Sequence, residues 1–315
     1  MLVVVACLPI PAEKEDISLF DDDDVPNRDT GEQPHTGETG EPDPPRDRSD
    51  FINTEQVVAI DDDSCWSLGA EYIDDAPLAE RVTTQSLRGT VVDSLTEGPV
   101  EDALVDLWFG DDPTGSADLS PNVDASTGEF DAEVPVCQPL TWRIQDPWGE
   151  TVPTYRPHQV WEWSESGPVE DTLPAFGETA ASLIPAIIGI DWDRDDAIVS
   201  GTVLDCAGDG IEHAQVWFHA PGEDAPPDQG DVFYFDSNGL PSPHDVEADT
   251  EPNGLWVAIN VPEGDWEFEA MGWDGEDYVS LAWTSFTVAG GSATLAQLDL
   301  GHGEVPRYPD GCLGE

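Results

Sequence analysis

The sequence predicts an all-β protein built from two tandem antiparallel β-sandwiches, and three observations support this fold class. Short runs rich in β-branched and aromatic residues recur along the chain, each bounded by Gly, Pro or Asp. With 28 Pro and 29 Gly among 315 residues, turns should be frequent and long helices rare. One strand–turn–strand pattern also occurs twice, which indicates an internal repeat.

The repeated pattern is clearest at residues 199–218, where two apolar runs flank a turn-forming segment. An earlier copy lies at 88–107. Its Gly89-Thr-Val corresponds to Gly201-Thr-Val in the later copy. A Gly-x-aromatic sequence followed by Val-Pro then occurs at 128–135 and again at 254–262. Because proline lacks an N–H, each Val-Pro should lie at the end or edge of a strand.

These motifs resemble the carboxypeptidase regulatory-like domain, over residues 199–300 closely and over 87–145 less closely. The resemblance implies a transthyretin-like, or prealbumin-type, β-sandwich for each copy. We place the first sandwich at residues 51–195 and the second at 196–315. Strands are predicted in the first at 87–92, 103–109, 130–134, 140–144 and 160–163. In the second they are predicted at 198–204, 214–218, 232–235, 255–261, 266–271, 281–288 and 293–300.

The N-terminal residues 1–7 form a short apolar run that ends in Cys7. The run is far shorter than the ~20 residues of a membrane-spanning helix, and it lacks the basic residues of a complete signal peptide. Val4-Val5-Ala6-Cys7 resembles the lipobox of bacterial lipoproteins. That resemblance implies that Cys7 is lipid-modified and becomes the mature N-terminus. It also implies an extracytoplasmic protein that is anchored to a bacterial membrane, namely the outer membrane.

Residues 8–50 are predicted to be a disordered acidic linker, because dense charge with few apolar groups cannot offset the entropy of ordering. The whole chain carries 68 Asp and Glu against 10 Lys and Arg, a formal net charge of -58. Such a charge repels phosphate-bearing partners, so we expect no nucleic-acid partner and no membrane contact other than the lipid anchor.

Four cysteines remain after Cys7, and an even number in an extracytoplasmic protein suggests disulfides. Three pairings are possible. We favour Cys65–Cys137 with Cys206–Cys312, because each bond then stays within one repeat. The alternative Cys137–Cys206 would link the repeats. A zinc site is disfavoured because the sequence has no C-x-x-C pair.

Candidate catalytic and metal-binding motifs are weak. His-x-x-Glu occurs at 35–38 and 244–247, in the linker and in a Pro-rich loop, neither of which would fix the geometry of a zinc peptidase. The acidic segment 191–196 lacks the Gly and Glu of a calcium loop, so a solvated linker is favoured over a calcium-stiffened hinge. His213 and His219 are expected on one face of one strand, as packed or surface residues. We therefore expect no catalytic residues and no cofactor.

The predicted function is a non-enzymatic, surface-anchored lipoprotein that acts as a scaffold or interaction module. Two alternatives stay open: a carbohydrate-binding module on a β-sandwich, and accessory domains of a separate extracytoplasmic enzyme. The carbohydrate alternative depends on exposed aromatic side chains, for which the tryptophans nearest to loops are candidates: Trp148, Trp161, Trp163 and Trp273. Two or more exposed tryptophans on one face would favour it. Possible partners are thus a glycan or another surface protein.

Overall fold

The computed structural model describes residues 71–313, apart from 111, 224–226, 228–229, 244–248, 274–275 and 277. The predicted lipobox, the predicted linker, Cys65 and both His-x-x-Glu motifs lie outside the described residues. The described chain contains one helix and fourteen strands. The elements are β1 (Thr83–Asp93), β2 (Leu104–Trp108), β3 (Glu129–Val136), β4 (Pro139–Gln145), β5 (Thr154–Val160), β6 (Val169–Ala175), α1 (Glu178–Ile188), β7 (Ala197–Leu204), β8 (Gln215–His219), β9 (Asp231–Phe235), β10 (Pro241–Ser242), β11 (Leu255–Val261), β12 (Gly264–Trp273), β13 (Tyr278–Val288) and β14 (Ala293–Asp299).

The two repeats share one topology, so the predicted all-β class with two tandem sandwiches is confirmed. In the first repeat β1 pairs antiparallel with β3 and parallel with β6, while β4 pairs with β2 and β5. In the second repeat β7 pairs antiparallel with β11 and parallel with β14, while β12 pairs with β8 and β13. Each repeat buries its own core between these two layers.

The glycine of the repeated Gly-Thr-Val motif is required for the same reason in both repeats. Gly89 lies opposite Phe130 in the β1–β3 register, and Gly201 lies opposite Trp256 in the β7–β11 register. A Cβ atom on Gly89 would lie 2.1 Å from Cζ of Phe130, and one on Gly201 would lie 2.6 Å from Cζ2 of Trp256. Glycine is therefore required because the aromatic ring of the partner strand covers its position.

The two sandwiches are joined by a shared sheet. Strands of both repeats form one eight-stranded sheet in the order β10-β9-β11-β7-β14-β5-β4-β2. The joint is the parallel contact of β14 with β5, which covers only Ala293 with Thr154 and Thr294 with Tyr155. Beyond it, Leu295 of β14 is buried in the core of the first repeat. The repeats are thus connected through backbone pairing and core packing as well as through the chain.

Helix α1 covers the outer face of the second repeat. Its buried side chains Ala180, Ala181 and Ile188 join a cluster with Ile198 of β7 and Val257 of β11. The sheet is therefore buried on both faces, which explains why β7 and β11 are apolar almost throughout. The helix ends at Gly189, whose left-handed backbone, φ 85°, allows its N–H to bond to the carbonyl of Pro185.

The predicted strands of the second repeat match β7, β8, β9 and β11 to β14 within a few residues, whereas the end of the first repeat differs. The strand predicted at 160–163 is wrong, since β5 ends at Val160. Strand β6 and helix α1 were not predicted. Both follow β5 in a segment where Pro and Gly hide the periodicity of the pattern.

The favoured disulfide pairing is also wrong. Cys137 is bonded to Cys312, with a Cα–Cα distance of 5.3 Å. This bond excludes Cys65–Cys137, Cys206–Cys312 and the alternative Cys137–Cys206. The reason is the path of the chain, because after β14 it returns to the β3–β4 turn of the first repeat instead of ending on the second. Cys206 is itself disulfide-bonded, and its partner lies outside the described residues.

No helix in the described part of the chain is both long and apolar enough to cross a membrane.

Candidate functional site

A cavity with a volume of about 1040 Å³ lies between the two repeats. It forms because β5 and β14 separate after their two paired positions. The remaining residues of β5, from Arg156 to Val160, line one side, while Ala296, Gln297 and Asp299 of β14 line the other. A cavity of this size is at the upper end of the range of small-molecule sites.

The C-terminal segment 302–311 closes one side of this cavity. It is held at its end by the Cys137–Cys312 bond, and Gly311 donates its N–H to Glu162 at 2.8 Å. Val160, Tyr308 and the two bonded cysteines form a small apolar cluster there. The wall is thus fixed to the first repeat although it belongs to the chain of the second.

Three arginines line the cavity, and each donates to neutral acceptors. Arg156 donates to the side-chain carbonyl of Gln297 at 3.2 Å. Arg307 donates to the backbone carbonyls of Asp205 and Cys206, and Arg81 to those of Gly311 and Leu313. Burial lowers the pKa of the Arg156 guanidinium, and the charges of Asp171 and Asp299 oppose that shift.

Two aspartates occupy the inner part of the lining, and other donors already bond to them. Asp171 accepts from the indole N–H of Trp161 at 2.7 Å and from the N–H of Thr172 at 2.8 Å. Asp299 accepts from the amide of Gln297 at 2.9 and 3.0 Å. Burial raises the pKa of Asp299 and lowers that of the neighbouring His302.

Aromatic side chains form much of the remaining wall. Trp161 is 3% exposed and belongs to the core of the first repeat. Trp163 and Trp283 are half-buried, so part of each indole is accessible. The Arg81 guanidinium lies 5.5 Å from the ring centre of Trp163, within the range of a cation–π contact. The cavity thus combines guanidinium, amide and carboxylate groups with indole surfaces.

The tryptophans predicted near loops do not form an exposed face. Trp148 is 71% exposed, and its indole N–H donates to Asp102 at 2.9 Å. Trp163 and Trp273 are half-buried, and Trp161 is buried. Trp148 is therefore the single largely exposed tryptophan among the described residues. The described residues therefore do not place two exposed tryptophans on one face, which is the arrangement expected for sugar stacking on an open sandwich face.

The histidines and the acidic segment singled out in the sequence have structural contacts. His219 lies on β8, with Nε2 3.3 Å from Glu267, whereas His213 precedes the strand and lies 3.3 Å from Asp249. The expectation that both histidines share one strand is wrong. In the segment 191–196, Asp193 accepts the N–H of Asp195 and donates its own N–H to Asn260. The described residues contain no group of three or more His, Cys, Asp or Glu arranged to hold a metal ion.

Sequence reasoning missed Arg156, Arg307, Asp299 and His302, which are far apart in the chain and meet only through the β5–β14 joint. Their one signal in the sequence is the scarcity of basic residues, 10 in all, which makes each arginine informative. The scarcity of basic residues does not by itself locate a site, because nothing in the sequence shows that residues 156 and 307 converge.

Comparisons with known proteins identify no family. No family model matches the chain, and no curated protein matches it. Similar solved structures include the Bacillus anthracis TIE protein, at 11% identity and a TM-score of 0.23, covering 69% of this chain and 34% of that protein. The shaft pilin SpaA of Lactobacillus rhamnosus GG is 10% identical at a TM-score of 0.23, covering 69% and 98%. A streptococcal ancillary pilin is 13% identical at 0.20, covering 69% and 62%. The chain thus spans about a third of the first of these, and scores this low transfer no property to it.

Proposed function

We propose that this protein is a non-enzymatic scaffold or interaction module outside the cytoplasm, anchored to a bacterial membrane through a lipid on Cys7. The observation that carries the proposal is the double connection of the two sandwiches. They share the eight-stranded sheet and are also bonded through Cys137–Cys312. A unit fixed at two points holds its loops and faces in constant relative positions, which suits a protein that presents surfaces to others.

The disulfides support the location. Such bonds persist in oxidising compartments and are rare in the bacterial cytoplasm. The surplus of acidic residues keeps a densely charged surface soluble and discourages contact with anionic lipid and nucleic acid. Under this proposal the lipid holds the protein at the membrane, and partners bind to the paired sandwiches. The resemblance of the repeats to carboxypeptidase regulatory-like domains agrees with a non-catalytic role.

The anchor is tested by mass spectrometry of the mature N-terminus, with Cys7→Ser as the variant and Ser18→Ala, in the predicted linker, as the control. We expect a lipid-modified Cys7 at the N-terminus and recovery in the membrane fraction for the wild type and the control. The Cys7→Ser variant should appear in the soluble fraction. A free amine on Met1 in the wild type would refute the anchor.

The interaction role is tested by chemical crosslinking on intact cells followed by mass spectrometry. We expect the same neighbouring surface protein to be recovered with the wild type in repeated experiments. A Cys137→Ser/Cys312→Ser variant should recover less of it, since the two sandwiches then lose one of their connections. Recovery of no neighbour, or equal recovery with the variant, would contradict a scaffold that depends on the fixed arrangement.

A further inference from the structure

The sheet formed by β13, β12 and β8 is buried on its outer face as well as on its core face. Successive side chains of a strand point to opposite faces, and Phe268 and Ala270 of β12 point into the core of the second repeat. Two rows of side chains cross the other face from β13 through β12 to β8: Trp283, Glu269 and Trp217, then Ser280, Met271 and Gln215. Trp217 is 7% exposed and Met271 is 1% exposed, yet neither belongs to the apolar clusters of the described residues. Their burial is within one chain, so the atoms that cover them belong to this chain.

The helix and the first repeat contact the second sandwich at other places. Helix α1 packs on the opposite layer, against β7 and β11. The first repeat reaches the edge of β13, where Nε2 of His158 lies 2.8 Å from the carbonyl oxygen of Ser285. Gln215, Trp217 and Met271 each have a further interaction whose partner lies outside the described residues. The cover of β12 and β8 is therefore a segment outside the described ranges.

The described chain begins on this face. The ring of Tyr72 contacts that of Trp283 edge-on, with centres 6.4 Å apart, and its hydroxyl is hydrogen-bonded to that of Ser280. Ile73 then donates its N–H to Gly301 at 2.7 Å and packs against the core of the second repeat. From β13 to β8 is two strand spacings, about 10 Å, which about three extended residues span. The residues before Glu71 can therefore continue directly over β12 and β8.

Residues 57–60, Val-Val-Ala-Ile, form the apolar run that suits this position. The earlier apolar run at 2–6 precedes Cys7 and is removed under the proposed function. The remaining stretches outside the described ranges are short, and together they contain one β-branched residue, Val246, and no aromatic residue. Burial of an indole and a thioether needs a larger apolar surface than these stretches offer.

Cys206 provides a second and independent observation. It is disulfide-bonded, and Cys137 and Cys312 are bonded to each other. Of the five cysteines in the sequence, Cys7 and Cys65 remain as partners. Cys7 carries the lipid under the proposed function, which leaves Cys65.

The length of the chain allows this bond. Cys206 and Ile73 both pack against the core of the second repeat. The eight-residue step from Cys65 to Ile73 spans at most about 28 Å when extended. Formation of the bond joins the two sulfur atoms, releases two protons and passes two electrons to a disulfide of the oxidising compartment, which is reduced to a dithiol.

We propose that residues 57–65 belong to the second sandwich, where 57–60 pack across the outer face of β12 and β8 and Cys65 bonds to Cys206. The two ends of the folded chain are then exchanged between the repeats. The segment before the first repeat binds to the second, and the segment after the second binds to the first through Cys312. The predicted linker, and with it the proposed anchor, is attached to the second sandwich.

Non-reducing peptide mapping of the full chain tests the bond. Trypsin places the four cysteines after Cys7 on four different peptides: 49–81, 89–143, 195–307 and 308–315. We expect 49–81 to be linked to 195–307, with the 89–143 and 308–315 pair as the internal control. A free thiol at Cys65 would overturn the proposal, and linkage of 195–307 to the peptide of Cys7 would overturn the anchor as well. An unlipidated Cys7 beside the expected linkage would overturn the anchor alone.

Met271 reports on the cover, because Met1 is the only other methionine in the sequence. Hydrogen peroxide converts an accessible methionine to its sulfoxide, and mass spectrometry of peptide 195–307 measures the rate. The variant is Val57→Asp/Val58→Asp, which changes one residue on each face of an extended segment. Leu19→Asp/Phe20→Asp, an adjacent apolar pair in the predicted linker, is the matched control.

We expect Met271 to be oxidised at least tenfold faster in the first variant than in the wild type, and at the wild-type rate in the control. Thermal unfolding shows whether each variant is folded at the temperature of the reaction. Equal oxidation rates in the two folded variants would overturn the packing of residues 57–60. The peptide map of the wild type needs no variant, so it tests the proposal even where a substitution prevents folding.

Discussion

At the residue scale, aspartates at the start of turns repeatedly accept backbone N–H groups of the turn. Oδ1 of Asp93 accepts the N–H groups of Leu95 and Thr96 after β1, and Oδ1 of Asp205 accepts those of Ala207 and Asp209 after β7. These two aspartates occupy equivalent positions in the repeats. Part of the acidic composition therefore stabilises turns, because a short carboxylate side chain satisfies backbone donors that the strands leave unpaired.

Among the described aspartates, Asp146 accepts the largest number of such bonds, and its lowered pKa allows a pH test. It accepts the N–H groups of Trp148, Glu150 and Thr151 and the hydroxyl of Thr151. Burial pushes the pKa of Asp146 up, but these bonds outweigh it, and the pKa lies below its usual value. We expect Asp146→Asn to lower the free energy of unfolding by about 1.5–3 kcal/mol at pH 7, because charge-assisted bonds are lost.

The sign of the pH dependence follows from the lowered pKa. The stabilisation is complete above the unfolded pKa of about 3.9 and is lost as the pH falls through the folded pKa. Urea unfolding from pH 7 to pH 2 should therefore show the wild type and Asp146→Asn converging at acid pH. Glu133→Gln, at an exposed position, is the control for removing one negative charge. A difference that stays constant with pH would contradict this assignment.

Gly254, the glycine of the Gly-x-aromatic sequence in the second repeat, offers a test of a required turn conformation. Its backbone is left-handed, φ 66°, and a Cβ atom there would lie 2.3 Å from the carbonyl oxygen of Val203. We expect Gly254→Ala to destabilise the protein by about 2–4 kcal/mol, from backbone strain together with displacement of β7. Gly167→Ala is the matched control, because it meets nothing within 4 Å. Equal melting temperatures of the two variants would refute this cause.

At the scale of elements, the strands of the second repeat were predictable from short apolar runs bounded by turn residues. Helix α1 was not, because it contains Pro185 and only eleven residues, so its own propensity is weak. The helix is stabilised by packing against the apolar outer face of β7 and β11, which it buries. The continuous apolar run from Leu255 to Ile259 was the available signal, since a strand with one solvated face alternates in polarity.

The two edge strands of the eight-stranded sheet are β10 and β2, of which the sequence predicted only β2. Edge strand β10 consists of Pro241 and Ser242, and a proline there limits further pairing. At the other edge, β2 has five residues. The joint between β14 and β5 could not be predicted, because two pairs of residues leave no pattern in either strand.

At the scale of the molecule, the Cys137–Cys312 bond should govern how the two sandwiches are arranged. We expect the Cys137→Ser/Cys312→Ser variant to lose about 5 kcal/mol on the chain-entropy model of a long loop. Because the β5–β14 joint is short, the repeats should then move relative to each other. Small-angle X-ray scattering should show a larger radius of gyration, and calorimetry should show two unfolding transitions instead of one.

The same measurements define what would contradict this expectation. Scattering curves that superimpose, with a single transition at an unchanged temperature, would mean that the joint and the Leu295 packing hold the repeats without the bond. The candidate site depends on the same arrangement, which is why sequence reasoning could not locate it. The fold of each repeat is encoded in local patterns, whereas the cavity exists only after both repeats and the C-terminal segment have come together.

The disulfide also has a mechanical consequence. It closes a covalent ring with a sequence separation of 175 residues. Strands β4 to β14 and helix α1 all lie inside that ring, and only β1 to β3 lie outside it. A pulling force applied between residues 71 and 313 would pass directly from Cys137 to Cys312. Under tension, helix α1 and strands β4 to β14 could not be extended while the bond is intact, and among the described strands only β1 to β3 could be.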